Sequence, residues 1–205
     1  MELKINGDIW SLMDIRKQIE QSTEDIDLYI DSPGGAALEG LQTANCIANA
    51  KCKVKAHVRC LAASAAAIIA LACDSVEIDK NSLLMLHNCW TVSIGSKTQL
   101  RNDADGMEAI DTVMHNIISE HCKDMSILDE IEKGDLFLTG EEAADMFDHV
   151  TLVEIPKKEG LAAFAPLVGL VKENRELRQK VEETQSKAYV VPEKLKNLMD
   201  KAERV

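Results

Sequence analysis

The sequence predicts an α/β fold: one compact domain over residues 1–155, then a linker and a helical tail over 156–205. Three observations lead there. Strand-like apolar runs alternate with helix-like runs from Ile5 to about Glu154. Aromatic residues make up only 3% of the chain, so Ala, Ile, Leu and Met must fill the interior, as where helices pack closely on sheets. The composition then shifts at Pro156-Lys157-Lys158-Glu159-Gly160, which reads as a linker. The first part is long enough to bury a sizeable core without staples.

In order, Ile5–Ile9 reads as a strand and Trp10–Gln21 as a helix. Asp27–Asp31 is a strand running into the tight turn Ser32-Pro33-Gly34-Gly35, and Ala36–Ala50 follows as a helix. Lys53–Cys60 alternates Val54, Ala56, Val58 and Cys60 with Lys53, Lys55, His57 and Arg59, the period of a strand. Ala65–Cys73 is an Ala-rich helix, and Val76–Asp79 and Leu83–His87 are strands. Lys97–Cys122 sets Leu100, Ala104, Met107, Ile110 and Met114 on one side at a helical period. The acid-rich stretch Asp124–Asp135 has the look of a solvated face, and Thr139 with Glu142 makes a capping box that opens a helix. Past the linker come an apolar patch, Leu161–Val171, and a charged helix to about Lys187. Its heptad-like spacing is too short and too polar for a firm coiled coil. Pro192 opens a last amphipathic helix, Glu193–Ala202.

Three stretches carry chemistry. Ser64 lies between a strand and the Ala-rich helix, where exposed amides and the positive end of the helix dipole favour developing negative charge. Taken alone, it reads more readily as a packed serine in an Ala-rich helix; the flanking motifs reverse that. The Ser-Pro-Gly-Gly turn can aim a backbone N–H at a ligand, although ordinary strand-to-helix turns use the same residues. Ser82–His87 is an apolar strand ending in histidine, whose pKa suits a general base near neutrality but which is also a common polar cap. A serine hydroxyl becomes a useful nucleophile only with a base to take its proton and N–H groups to hold the oxyanion. Together the three stretches supply those parts and read as a serine peptidase.

The blocks Ser32-Pro33-Gly34-Gly35, Leu61-Ala62-Ala63-Ser64-Ala65-Ala66-Ala67 and Met85-Leu86-His87 resemble those of the ClpP-type serine peptidases, in the same order. The resemblance spans roughly Ile5 to Glu154, with Ser64 30 residues after Gly34 and His87 23 after Ser64. It implies a ClpP/crotonase-like ββα spiral fold, Ser64 as nucleophile, His87 as base, and an oxyanion hole from the amides of Gly35 and Ala65. An acid is implied just before an aromatic, an aliphatic and a Ser/Thr that opens a helix. Gly134-Asp135-Leu136-Phe137-Leu138-Thr139 makes that acid Asp135, with Asp129 and Glu132 as alternatives. No cofactor and no metal are implied. A homo-oligomeric ring is, with stacked rings interlocked by the helix Lys97–Cys122, as is a protein or peptide substrate paired as an added strand along Asn88–Ser96.

The chain departs from the housekeeping members, with Cys60-Leu61 for their usual Gly-Gln and Ala65 for their Met. Leu-Ala-Ala-Ser-Ala-Ala is closer to the ClpP-related head maturation proteases of tailed phages and prophages, which makes a capsid or scaffold protein the expected partner. The start of the sequence directly at the first strand, without an axial segment for an unfoldase, points the same way. The alternatives are a degradative ClpP served by a separate unfoldase, a catalytically idle ring subunit, and a crotonase-type enzyme acting on acyl-CoA thioesters.

A net charge of −12 with no basic patch argues against nucleic acid or an anionic membrane as partner. No glycine-rich phosphate loop of the Walker type occurs. No apolar run is long enough to span a bilayer, and no signal sequence precedes the first strand, so a cytoplasmic location is expected. The six cysteines are scattered and read as reduced thiols rather than a zinc site or a disulfide framework. Cys89, two residues after His87, is a weaker alternative nucleophile.

Overall fold

The computed structural model describes residues 1–154; the linker and tail helices expected over 156–205 lie outside the described residues. The elements are β1 (Glu2–Asn6), α1 (Met13–Gln21), β2 (Ile26–Ser32), α2 (Ala37–Ala48), β3 (Val54–Ala63), α3 (Ala65–Leu71) and β4 (Ser75–Asp79). There follow β5 (Leu83–Leu86), α4 (Lys97–Glu120), α5 (Ser126–Lys133), β6 (Leu136–Thr139), α6 (Gly140–Met146) and β7 (Val150–Val153).

Five strands run parallel in the order β1-β2-β3-β4-β7, and β5 and β6 branch from β3. The branch arises because β3 is ten residues long and changes partner along its length. Lys55–Val58 pairs with β4, whereas Leu61–Ala63 pairs with β5, which in turn holds β6 antiparallel. The register with β2 slips at the same place: Ile30 faces Val58, but Ser32 faces Ala62. The alternation over Lys53–Cys60 thus marks only the first part of the strand. Leu61, Ala62 and Ala63 carry it on to Ser64.

The register lines up whole rows of side chains. Leu3, Leu28, Ala56, Val76 and Val150 form one row, all buried. The adjacent row, Lys4, Tyr29, His57, Glu77 and Thr151, points the other way. There His57 stacks on Tyr29 and lies 2.7 Å from Asp27, while Lys55 pairs with Glu77 at 2.6 Å. A sheet of parallel strands usually has both faces covered and both apolar; this one keeps a polar face of ion pairs.

The apolar face packs on α3, every residue of which is buried. Alanine dominates there because α2 crosses closely: a Cβ on Gly40 would sit 2.9 Å from that of Ala65. Burying Ile68, Ile69 and Leu71 contributes about 1.5–3 kcal/mol each. Helix α4 adds Met114 and Ile118 to the core, while Leu100 and Ala104, on the same predicted stripe, are exposed. Glu39 of α2 accepts both the Leu12 N–H and the Arg16 guanidinium, each at 2.7 Å, and so fixes α1.

The elements depart from the sequence reading in four places. Strand β1 occupies Glu2–Asn6 rather than Ile5–Ile9, and Ile9 instead makes a single parallel bridge to Gly35. Helix α1 starts at Met13, leaving Trp10 exposed ahead of it. The acid-rich stretch contains α5, which buries Ile127 and Ile131 beneath its charges. The short strands β6 and β7, not expected from the sequence, are the sixth and seventh strands of the sheet.

Candidate active site

The end of β3 delivers Ser64 into an unusual backbone conformation, φ +55° and ψ −126°, the only positive φ among the described non-glycine residues. Such a residue stores on the order of 1–3 kcal/mol and persists only where its surroundings over-determine it. Here they do. The Ser64 N–H donates to Met85 O of β5 at 2.8 Å, and its carbonyl accepts from Ala67 and Ile68 to open α3. The sharp turn lifts the hydroxyl off the helix toward the end of β5, where His87 follows Leu86. Ser64 Oγ and His87 Nε2 are 2.7 Å apart.

Asp135 arrives by strand register. Leu86 of β5 faces Leu136 of β6, so the residues just outside that pair, His87 and Asp135, face each other. His87 Nδ1 lies 3.4 Å from Asp135 Oδ1, longer than a fully formed charge-assisted hydrogen bond. The imidazole is largely buried and the carboxylate half exposed. Of the alternative acids on α5, Glu132 borders the cavity lined by Ser64, His87 and Asp135, and Asp129 does not.

The Ser-Pro-Gly-Gly turn sits directly on Ser64. A Cβ on Gly34 would lie 2.5 Å from Ala63 O and 2.7 Å from Ser64 Cβ, and one on Gly35 2.2 Å from Ile9 O. The bridge to Ile9 uses the carbonyl of Gly34, at 2.7 Å, and the N–H of Ala36, at 2.8 Å. The N–H of Gly35 is therefore turned to the opposite side. The Ala65 N–H belongs to the first turn of α3 and has no i−4 carbonyl to bond. Both residues line a cavity of about 920 Å³ shared with Ser64, His87 and Asp135. Trp10, Leu41, Ile68, Met85 and Met114 supply much of its remaining wall, which suits an apolar side chain.

Residues 11–150 match the family model of Clp proteases. The chain belongs to the Clp protease family. No individual curated protein matches the sequence. The branched, mostly parallel sheet with the six helices of the described residues is the ClpP-like fold that the resemblance implied, in a family of proteases. Among the described residues, no helix of this Clp protease is long and apolar enough to cross a membrane.

Two residues that sequence reasoning missed hold the stretch after His87. Asp111 Oδ1 accepts the Cys89 N–H at 2.7 Å, and His115 Nε2 meets Asn88 Oδ1 at 2.8 Å. Their i, i+4 spacing on α4, directed at the segment behind a candidate base, was the signal available. Cys89 itself is unsuited to the nucleophile's part. Its thiol points to Met107 O, and burial, reinforced by the Asp111 carboxylate, pushes it up to about 11. At neutral pH it stays a thiol.

Proposed function

We propose that this Clp protease is a serine endopeptidase in which Ser64 attacks the scissile carbonyl and His87 takes its proton. The observation that carries the reading is the strained Ser64 turn with its hydroxyl 2.7 Å from His87 Nε2. For the Ser64 O–H to donate to Nε2, the proton of the neutral imidazole must sit on Nδ1, the nitrogen that faces Asp135. Asp135 keeps that tautomer and stabilises the imidazolium formed during attack. The amides of Gly35 and Ala65 receive the oxyanion, helped by the positive end of α3. Collapse of the tetrahedral intermediate passes the proton from His87 to the leaving amine, and water then repeats the sequence on the acyl-enzyme. The apolar cavity wall supports a preference for an apolar side chain next to the cleaved bond.

The substrate is a capsid or scaffold protein, and the role is phage or prophage head maturation. Support comes from the Leu61-Ala62-Ala63-Ser64-Ala65-Ala66 block and from Cys60-Leu61 in place of the housekeeping Gly-Gln. The working form is a cytoplasmic homo-oligomeric ring built from the domain of residues 1–155, with 156–205 as an appended tail. Exposed apolar side chains at Trp90, Val92, Ile94 and Leu100, along the segment 88–96 and the start of α4, support an interface and a strand-like substrate track there.

The test is intact mass after treatment with a fluorophosphonate, on the native chain and on Ser64→Ala, with assembly followed by sedimentation. One adduct lost in Ser64→Ala is the expected result. No adduct on an assembled ring overturns the reading in favour of an idle assembly subunit. Co-purification with an ATPase unfoldase, without cleavage of capsid protein, overturns the maturation role alone.

A further inference from the structure

A second cluster of chemically capable side chains, His121, Asp148 and His149, shares no residue with the cavity wall around Ser64. Their donor atoms lie within 4.8 Å of one another. The backbone holds them firmly. His121 ends α4, and its carbonyl accepts the Asp148 N–H at 3.0 Å, while the Lys123 N–H reaches Met146 O at 2.9 Å. The His149 carbonyl accepts the Val76 N–H of β4 at 3.0 Å.

The protonation of His149 follows from its partner. Nε2 lies 3.1 Å from Leu71 O, a group that can only accept, so Nε2 carries the proton and Nδ1 is a bare lone pair. That Nδ1 has no hydrogen-bond partner among the described residues, although the side chain is only 6% exposed. It faces the carboxylate oxygen Oδ1 of Asp148 at 3.8 Å. The same oxygen is 2.9 Å from His121 Nδ1. A buried lone pair facing an anion lacks a cation between them. The carboxy-terminal ends of α3 and α4 meet here and add partial negative charge.

We propose that His121, Asp148 and His149 bind a divalent transition-metal ion of the zinc class, with solvent completing the coordination. Two imidazoles and a carboxylate are zinc-type ligands and a poor set for calcium or magnesium. Bonds of about 2.0–2.1 Å set tetrahedral ligands about 3.4 Å apart. The separations of 2.9 and 3.8 Å bracket that value. The His121 ring, stacked on that of His149 with centroids 3.9 Å apart, must turn off the stack for both Nδ1 lone pairs to meet one ion, and its partial exposure leaves room for that. Leu71 O supplies the outer partner that orients a ligating imidazole. His121 and Asp148 are 33% and 62% exposed and give the ion its way in from solvent. To coordinate through Nδ1, the neutral His121 ring carries its single proton on Nε2.

The test titrates the full-length chain with Zn²⁺ against a chromophoric chelator, and separately with Co²⁺ followed by absorption. One equivalent per chain is expected, weakened at least tenfold in His121→Gln and in Asp148→Asn and unchanged in His87→Ala. The Co²⁺ spectrum should lack thiolate charge-transfer bands, since no cysteine is among the ligands. Both substituted positions are solvent-accessible, and circular dichroism verifies that the variants are folded. Equal zinc affinity in wild type and both variants, no binding by wild type, loss of binding in His87→Ala, or thiolate bands with Co²⁺ would each overturn the assignment.

Discussion

Replacing Gly34 by alanine tests how the Ser-Pro-Gly-Gly turn positions Ser64. The added methyl would meet Ala63 O at 2.5 Å, Ser64 Cβ at 2.7 Å and Ala65 N at 3.1 Å. Two of these are backbone atoms that cannot swing aside. Holding an L-residue at φ +94° costs about 1–2 kcal/mol, and overpacking adds about 1–3. The stiffer unfolded chain returns about 0.4–1 kcal/mol. The net loss is about 1–5 kcal/mol, most of it from the overlap. Gly7→Ala isolates the strain, because Gly7 has φ +71° and nothing within 4 Å of the added carbon. Its loss should be about 1 kcal/mol. Urea unfolding followed by circular dichroism measures both, and an unchanged m-value shows that the difference lies in stability. The overlap can be relieved only by moving the turn or Ser64, and a misplacement on the order of 1 Å costs about 10²-fold in rate. Peptide hydrolysis by folded Gly34→Ala should fall by about that factor, while Gly7→Ala keeps the wild-type rate. Equal stability losses in the two variants, or wild-type hydrolysis by Gly34→Ala, refute the reasoning.

Other perturbations probe separate parts of the molecule. Asp135→Asn should lower kcat by about 10²–10³-fold, less than the roughly 10⁴ of a buried triad acid, because its contact with His87 is 3.4 Å and half exposed; an unchanged pH–rate profile and rate would remove Asp135 from the mechanism. Phe147→Ala empties a fully buried site under α6 and should cost about 3–5 kcal/mol, read as a lower urea midpoint. The Arg16 guanidinium and then the Leu12 N–H hold Glu39 below the usual carboxylate range. Its contribution is therefore complete above the ordinary glutamate pKa and lost as the pH falls through the lowered one. As the pH falls below the ordinary glutamate range, the urea midpoint of wild type should fall more steeply than that of Glu39→Gln, and parallel curves would contradict the assignment.

The parts of the fold written in strong local patterns were legible in the sequence. Alternation over Lys53–Cys60 and the helical stripe of Lys97–Cys122 correspond to β3 and α4, because burial on one side leaves a period. Strands β6 and β7 are four residues each, too short to show a period, and exist through their neighbours β5 and β4. Helix α5 was hidden by its acids, which stand among the inward-facing Ile127, Leu128 and Ile131. Ile5–Ile9 has the composition of a strand, but the chain breaks away from β2 after Asn6, so the apolar Ile9 serves the Gly35 turn instead. At the candidate site, Ser64, His87 and the glycines stood out by residue type and spacing. Asp111, His115 and the His121–Asp148–His149 cluster did not, because tertiary packing alone joins α4 to segments 22 to 28 residues away along the chain.

The row-wise register of the sheet has a genetic consequence. In β2, the first part of β3 and β4 the apolar core residues fall on even positions, Ile26, Leu28, Ile30, Val54, Ala56, Val58, Val76 and Ile78, while the odd positions between them carry mostly charged and polar groups. Tolerance to substitution in this region should flicker with residue parity. Even-numbered sites would accept few replacements, and the exposed odd-numbered ones would drift more freely, the buried His57 and Asp79 excepted, or be recoloured by a partner that comes to lie on that face. A lineage can therefore remodel one whole side of the sheet without disturbing the packing beneath Ser64.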